Sequence, residues 1–155
     1  MPATSETSHD NAIYDADTFQ PGRCVGPLIS RVRLALLEAL DRALSPLNVT
    51  AAQYVVLTTL ASGAESASQI CRGISYDAGA MTRMIDRLEQ RGLLQRVRVA
   101  DDRRTVKLKL TEEGAALYPK MRESAMEVVN GLLRGFTQAE ARQLENFLKR
   151  MLENA

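Results

Sequence analysis

Between Ser66 and Gly114 the hydrophobic period of the chain switches from helical to alternating and back, an order that few folds accommodate. Ser66 caps a short helix over ASQICRGI, and Ser75-Tyr76-Asp77 opens another that runs to about Gln90. Met81, Ile85 and Leu88 line one face of that second helix, and Gly92 stops it. The other face, with Gly79, Thr82, Arg83, Asp86, Arg87 and Gln90, is polar and cationic. LLQRVRV and TVKLKL then alternate, with Val106, Leu108 and Leu110 on one side and Lys107 and Lys109 on the other. Joined by ADDRR, they read as a hairpin.

The flanks are helical. After Pro21-Gly22, the run PLISRVRLALLEALDRAL repeats Leu28, Ile29, Val32, Leu36, Leu37, Leu40 and Leu44 at three- and four-residue steps and ends before Pro46. Thr50 caps AAQYVVLTTLAS, which Gly63 terminates. Thr111 caps a long helix from about Glu112 to Arg134, and Gly135 ends it. Thr137 and Glu140 form a capping box for a last helix with an apolar stripe of Ala141, Leu144, Phe147, Leu148, Met151 and Leu152. The expected fold is therefore mainly α with a small β wing: a winged helix-turn-helix over about 50–111, with further helices over about 22–45 and 112–153. Residues 1–20 are polar and read as a tail outside a single domain over 21–155.

Charge distribution narrows the function. The chain has a formal net charge of only +1, yet Arg72 to Lys109 holds ten Lys/Arg against five Asp/Glu. A basic middle in a neutral chain suits local attraction to phosphates. The single histidine, His9, stands in the polar tail, which removes histidine triads and most zinc sites. Cys24 and Cys71 are far apart, without CxxC spacing, and fit reduced thiols. No carboxylate pair, activated nucleophile, metal cluster or phosphate loop is apparent, so neither an enzyme nor a cofactor is expected. No apolar run approaches the roughly 20 residues of a membrane span, and the start of the chain lacks a signal core. A cytoplasmic protein is expected.

Arg83 and Arg87 lie one turn apart on the polar face of the fourth helix, where a guanidinium takes a phosphate or a guanine edge bidentately. Arg83, nearer the helix start, is the candidate for a base or its flanking phosphate, with Thr82 beside it and Arg87 on phosphate. Ser75, Asp77 and Gly79 at the start of the same helix complete the candidate surface. Arg103 and Arg104 occupy the hairpin tip, suited to a narrow minor groove, with Asp101 or Asp102 orienting one of them. The bland alternative is a solvated surface on a winged helix that binds only protein.

The run AGAMTRMIDRLEQRGLLQRVRVADDRRTVKLKLTEEG resembles the MarR-type (MarR/SlyA) transcriptional regulators, whose pattern is an arginine before "LE..GL..R", a wing with "D.R", and "L.LT..G". The resemblance implies a DNA-binding regulator with Arg83 as the recognition-helix arginine and Arg104 as the wing-tip arginine. It makes Asp102 the partner of Arg104, and Arg96 the arginine after "GL". It further implies a homodimer interlocked through its first and last two helices, reading a palindromic double-stranded operator. The apolar stripes of the terminal helices, too wide for a winged domain alone to cover, point to a partner independently.

The same resemblance implies a small aromatic or phenolic carboxylate as effector. Arg31, among apolar Leu28, Val32 and Ala35, is the candidate cation inside an apolar wall, and Tyr54 the candidate for stacking or hydrogen bonding. A snorkelling arginine and a core tyrosine are the alternatives. Cys24, next to Arg23 near the start of the first helix, suggests a thiol-based redox sensor of the OhrR type instead. That pattern has a tyrosine four residues on, where this chain has Leu28, so Cys24 reads better as an ordinary small residue. Cys71 is expected in the core.

Overall fold

The computed structural model describes residues 12–17, 19–72, 77–99 and 102–155, with backbone alone at 72, 99 and 102–105. Its order is α1 (Val25–Leu44), a 3-10 turn (Ser45–Leu47), α2 (Ala51–Ala61), α3 (Ala67–Arg72), α4 (Ala78–Gln90), β1 (Leu94–Val99), β2 (Asp102–Leu110), α5 (Glu112–Leu132) and α6 (Gln138–Glu153). This is the mainly helical winged helix-turn-helix expected from the change of period. The helix starts follow their caps. Thr50 and Thr137 each complete a capping box, while Asp77 and Thr111 accept from the backbone N–H groups of Ala80 and Gly114.

Boundaries differ in small ways with local causes. α1 begins at Val25, because Pro27 is tolerated in a first turn whose N–H groups have no helical acceptor. At its far end α1 stops at Leu44, before Pro46 as expected, and Pro46 sits in the 3-10 turn that follows, which closes on Asn48 in the left-handed region (φ 53°). α5 ends at Leu132, two residues short of Arg134, and Gly135 takes φ +92° beyond it.

Two compact units divide the chain, residues 1–35 and 36–155. In the first, Tyr14 and Phe19 meet edge to face with ring centroids 6.0 Å apart, and the Tyr14 hydroxyl accepts from the Val25 N–H at 3.3 Å. Cys24 is buried and its thiol donates to the Pro21 carbonyl at 3.7 Å. Ile13, Val25, Leu28, Val32 and Leu34 are exposed.

The second unit holds the core, centred on Leu44, Leu57, Ile70, Met81, Ile85, Leu88, Leu93, Leu94 and Met121. Met81, Ile85 and Leu88 are the apolar face read in the sequence, and Cys71 packs half-buried against the same core. β1 and β2 pair antiparallel, Leu94 opposite Leu110 and Arg96 opposite Leu108, with an irregularity after Arg98. α6 contributes no buried residue. Its Leu144, Phe147, Leu148 and Met151 are exposed, as are Phe136 before it and Met126, Val129 and Leu132 on α5.

Candidate nucleic-acid interface

α4 is held at both ends by its own chemistry. Asp77 Oδ1 accepts the Ala80 N–H at 2.8 Å, which satisfies one of the orphan donors of the first turn. At the far end Gly92 adopts φ +69°, and the Gly92 and Leu93 N–H groups return to the Glu89 and Leu88 carbonyls at 2.9 and 3.0 Å. Arg91 then ties this end to the start of α2, donating to the Asn48 carbonyl at 2.5 Å and to Gln53 Oε1 at 3.4 Å.

The wing is tied to α4 by Arg96. Its guanidinium donates to Asp86 Oδ1 at 2.6 Å and to Glu89 Oε2, while its backbone N–H donates to Glu89 Oε1 at 3.0 Å. The hydrogen bond to Asp86 is the main cause that raises the arginine's pKa, and burial opposes it. Asp86 and Glu89 lie three residues apart on one helix, so a single fork spans both.

The wing has a second anchor at Glu65, between α2 and α3. The Leu108 N–H donates to the Glu65 carbonyl at 2.8 Å, and Lys107 Nζ lies 2.5 Å from the Glu65 carboxylate. This pairing lowers the Glu65 pKa from 4.5, the hydrogen bond to Lys107 being its largest cause. A depressed carboxylate contributes above its ordinary range, and that contribution is lost as pH falls through the folded-state value. A carboxyl-carbon NMR titration of Glu65 should therefore show a midpoint below 4.5, moving up toward it in Lys107→Met. A midpoint at or above 4.5 in the unmodified protein would break this assignment.

α5 docks on the same junction. The Thr111 hydroxyl accepts the Gly114 N–H at 3.1 Å and donates to the Gly92 carbonyl, and the Thr111 N–H reaches the Leu93 carbonyl at 3.3 Å. Gly114 lies so close to Leu93 that a Cβ would stand 2.0 Å from the Leu93 carbonyl oxygen. The segments "GL..R" and "LT..G" thus form one joint between α4, the wing and α5.

These bonds sort the basic stretch. Arg91, Arg96 and Lys107 are engaged within the chain, whereas Arg83, Arg87, Arg98 and Lys109 have no ion-pair partner among the described residues. Arg83 and Arg87 are both exposed on α4. Arg83 Nη1 lies 3.6 Å from where a Gly79 Cβ would stand, and the Asp77 carboxylate 3.2 Å from the same point, so Gly79 leaves the guanidinium close to the helix backbone. Thr82 is exposed, and its hydroxyl donates to the Ala78 carbonyl at 2.9 Å. Of the remaining expected contacts, Ser75 lies outside the described residues, and for Asp102, Arg103 and Arg104 only their place on β2 is described. The sequence reading missed Glu65, Arg91 and the acidic partners of Arg96; an arginine on the first strand facing two acids spaced for one helix face was the available signal.

Among the expected effector residues, Leu28 and Arg31 are exposed on α1, as is Val32, so among the described residues of its own unit no apolar wall surrounds Arg31. Tyr54 is half-buried and lines a cavity of about 370 Å³ with Leu36, Leu40, Met126, Val129 and Asn130. Cys24, with 7% of its surface exposed, is buried rather than presented to solvent.

The family model for the MarR family matches residues 49–106. The transcriptional regulator PecS of Dickeya dadantii is 35% identical over 136 residues, spanning 85% of this chain and 81% of that protein. The chain belongs to the MarR family. A crystal structure of a mutant Escherichia coli MarR complexed with operator DNA shares 35% identity and a TM-score of 0.73, covering 82% of this chain and 92% of that one. A structure of BpsR from Bordetella bronchiseptica, described with regulation of its DNA binding by 6-hydroxynicotinic acid, has a TM-score of 0.76 at 27% identity, covering 86% of this chain and 96% of that one. As a MarR-family transcriptional regulator, the chain carries Arg83 and Arg87, neither with an ion-pair partner among the described residues, on the motif helix that this fold places in the major groove. No helix among the described residues is long and apolar enough to cross a membrane.

Proposed function

We propose that this regulator acts as a homodimeric repressor of a palindromic operator, released by a small aromatic or phenolic carboxylate. The observation that carries the DNA reading is the division of the basic residues, with Arg83 and Arg87 exposed and without an ion-pair partner among the described residues while Arg96 and Lys107 are bound to acids of the chain. Arg83, backed by Thr82 and Gly79, reads a base edge or its flanking phosphate; Arg87 takes phosphate; Arg103 and Arg104 at the wing take the minor groove, with Asp102 as the orienting acid. Asp77, which caps the start of the helix, and Ser75 complete the proposed DNA-contact surface. The exposed apolar faces of α1 and of α6 favour a second copy, since monomers rarely expose such surfaces. A dimer presents two reading helices to half-sites about one helical turn apart.

Arg96 belongs to this function as a positioning residue rather than a phosphate ligand, because both its carboxylate partners lie on α4. Arg96→Ala is expected to lower stability by about 1 kcal/mol and weaken operator binding without changing the salt slope. Arg96→Lys should restore part of the stability, and a slope reduced by about one per protomer would reassign Arg96 to the DNA.

For the effector, the Tyr54 cavity offers an apolar wall with a phenol and the Asn130 amide. Arg31, exposed on α1 and unpaired among the described residues, and its neighbour Leu28 are the further effector residues to test. That 6-hydroxynicotinic acid regulates BpsR supports this chemical class. The burial of Cys24 behind a bond to Pro21 favours a ligand over the thiol-based alternative. Selection from a random duplex pool tests the whole reading: a palindromic sequence should emerge, and hydroxylated aromatic acids should release it with the response weakened by Arg31→Ala. Enrichment of no duplex at low salt would leave the winged helix as a protein-interaction module.

A further inference from the structure

A second cavity, about 660 Å³, opens where the end of α1, the 3-10 turn and the start of α2 meet, with walls that differ in kind from those around Tyr54. Leu37, Val49, Ala51 and Ala52 form an apolar floor, and Asp41 is the one charged side chain among the lining residues. Asp41 Oδ1 is already used, accepting the Ala51 N–H at 2.6 Å, while its other oxygen and the Asn48 side-chain amide have no partner among the described residues. The Ser45 hydroxyl donates to the Arg42 carbonyl at 3.0 Å and keeps its lone pairs for a donor from outside. A carboxylate, an amide oxygen and a hydroxyl oxygen above an apolar floor present acceptors together with negative charge.

We propose that this cavity is a binding site for a small organic ammonium with an apolar body. The ammonium donates to the free oxygen of Asp41 and to Asn48 or Ser45, and the apolar portion covers Leu37 and Val49. A carboxylate ligand is disfavoured by the Asp41 charge. The volume lies within the range of small-molecule sites. The site is also wired to α4, because the backbone carbonyl of Asn48 accepts from Arg91, the residue that follows the helix. A ligand that engages Asn48 therefore acts on a loop that grips the C-terminal end of α4, at a place separate from the Tyr54 cavity.

The test is an NMR titration of the full chain with phenethylamine, using phenylacetate as the control of opposite charge. Saturable shifts are expected at the Ala51 amide and at the Arg91 side chain, with phenylacetate at least ten-fold weaker. Asp41→Asn keeps an oxygen for the Ala51 N–H but removes the charge, and should weaken phenethylamine at least ten-fold. Ala52→Leu fills the cavity and should do the same without touching Asp41. Equal binding of the acid, unchanged binding in both variants, or an Arg91 signal that stays fixed at saturation would each overturn the proposal.

Discussion

Gly114→Ala is expected to cost about 3 kcal/mol or more, a drop of roughly 10 °C in melting temperature for a chain of this size. The added methyl would stand 2.0 Å from the Leu93 carbonyl oxygen, 3.0 Å from its carbonyl carbon and 3.4 Å from its Cα. All three are backbone atoms, so no change of rotamer relieves the clash. Relief requires the start of α5 to move off the junction, which breaks the Thr111 bonds to the Leu93 and Gly92 carbonyls. Those two residues are also where α4 stops and the wing begins, so the damage reaches the reading surface as well as the core. Gly131 is the control within the same helix, because nothing lies within 4 Å of its Cβ position. Gly131→Ala should be neutral or stabilising by up to about 1 kcal/mol. Thermal unfolding of the two variants side by side checks the argument, and equal melting temperatures would refute it.

That junction also marks how far the sequence is legible. Period and caps predict each helix and the hairpin, because Met81, Ile85 and Leu88, or Thr137 with Glu140, act on neighbours within one or two turns. Leu110 and Thr111 are legible as strand alternation and as a cap, but Gly114 stands out only in the family pattern, since the reason for the glycine is the Leu93 carbonyl, distant in sequence. Arg96 and Arg83 look alike on the page, two arginines in a basic stretch, and only the placement of Asp86 and Glu89 separates the internal clamp from the free cation. Glu65 escapes sequence reading for the same reason. Its partners Lys107 and Leu108 come from the far side of α4 and the hairpin, and nothing local singles it out. The Tyr54 cavity was half legible: the aromatic residue stood out, but its company on α5 depends on packing.

Arg83→Ala is expected to weaken binding to the selected operator about 100-fold or more while leaving folding intact. Its side chain is exposed and has no ion-pair partner among the described residues, so its removal exposes no core and orphans no carboxylate. A bidentate contact to a base is worth about 1–3 kcal/mol, and a two-fold dimer loses two of them. The two roles open to Arg83 leave different signatures. If it reads a base edge, discrimination collapses at one symmetric position of each half-site while non-specific binding barely changes; if it holds a phosphate, affinity falls for every duplex and the salt slope drops by about one per protomer. Arg83→Lys sharpens the distinction, since it keeps the charge and loses the fork, and should rescue a phosphate role far better than a base contact. Arg87→Ala provides the scale for a phosphate contact on the same face, with a smaller, sequence-independent loss. Fluorescence anisotropy across 50–200 mM salt resolves these cases, and an Arg83→Ala protein that binds the operator like the unmodified chain would remove this arginine from the interface.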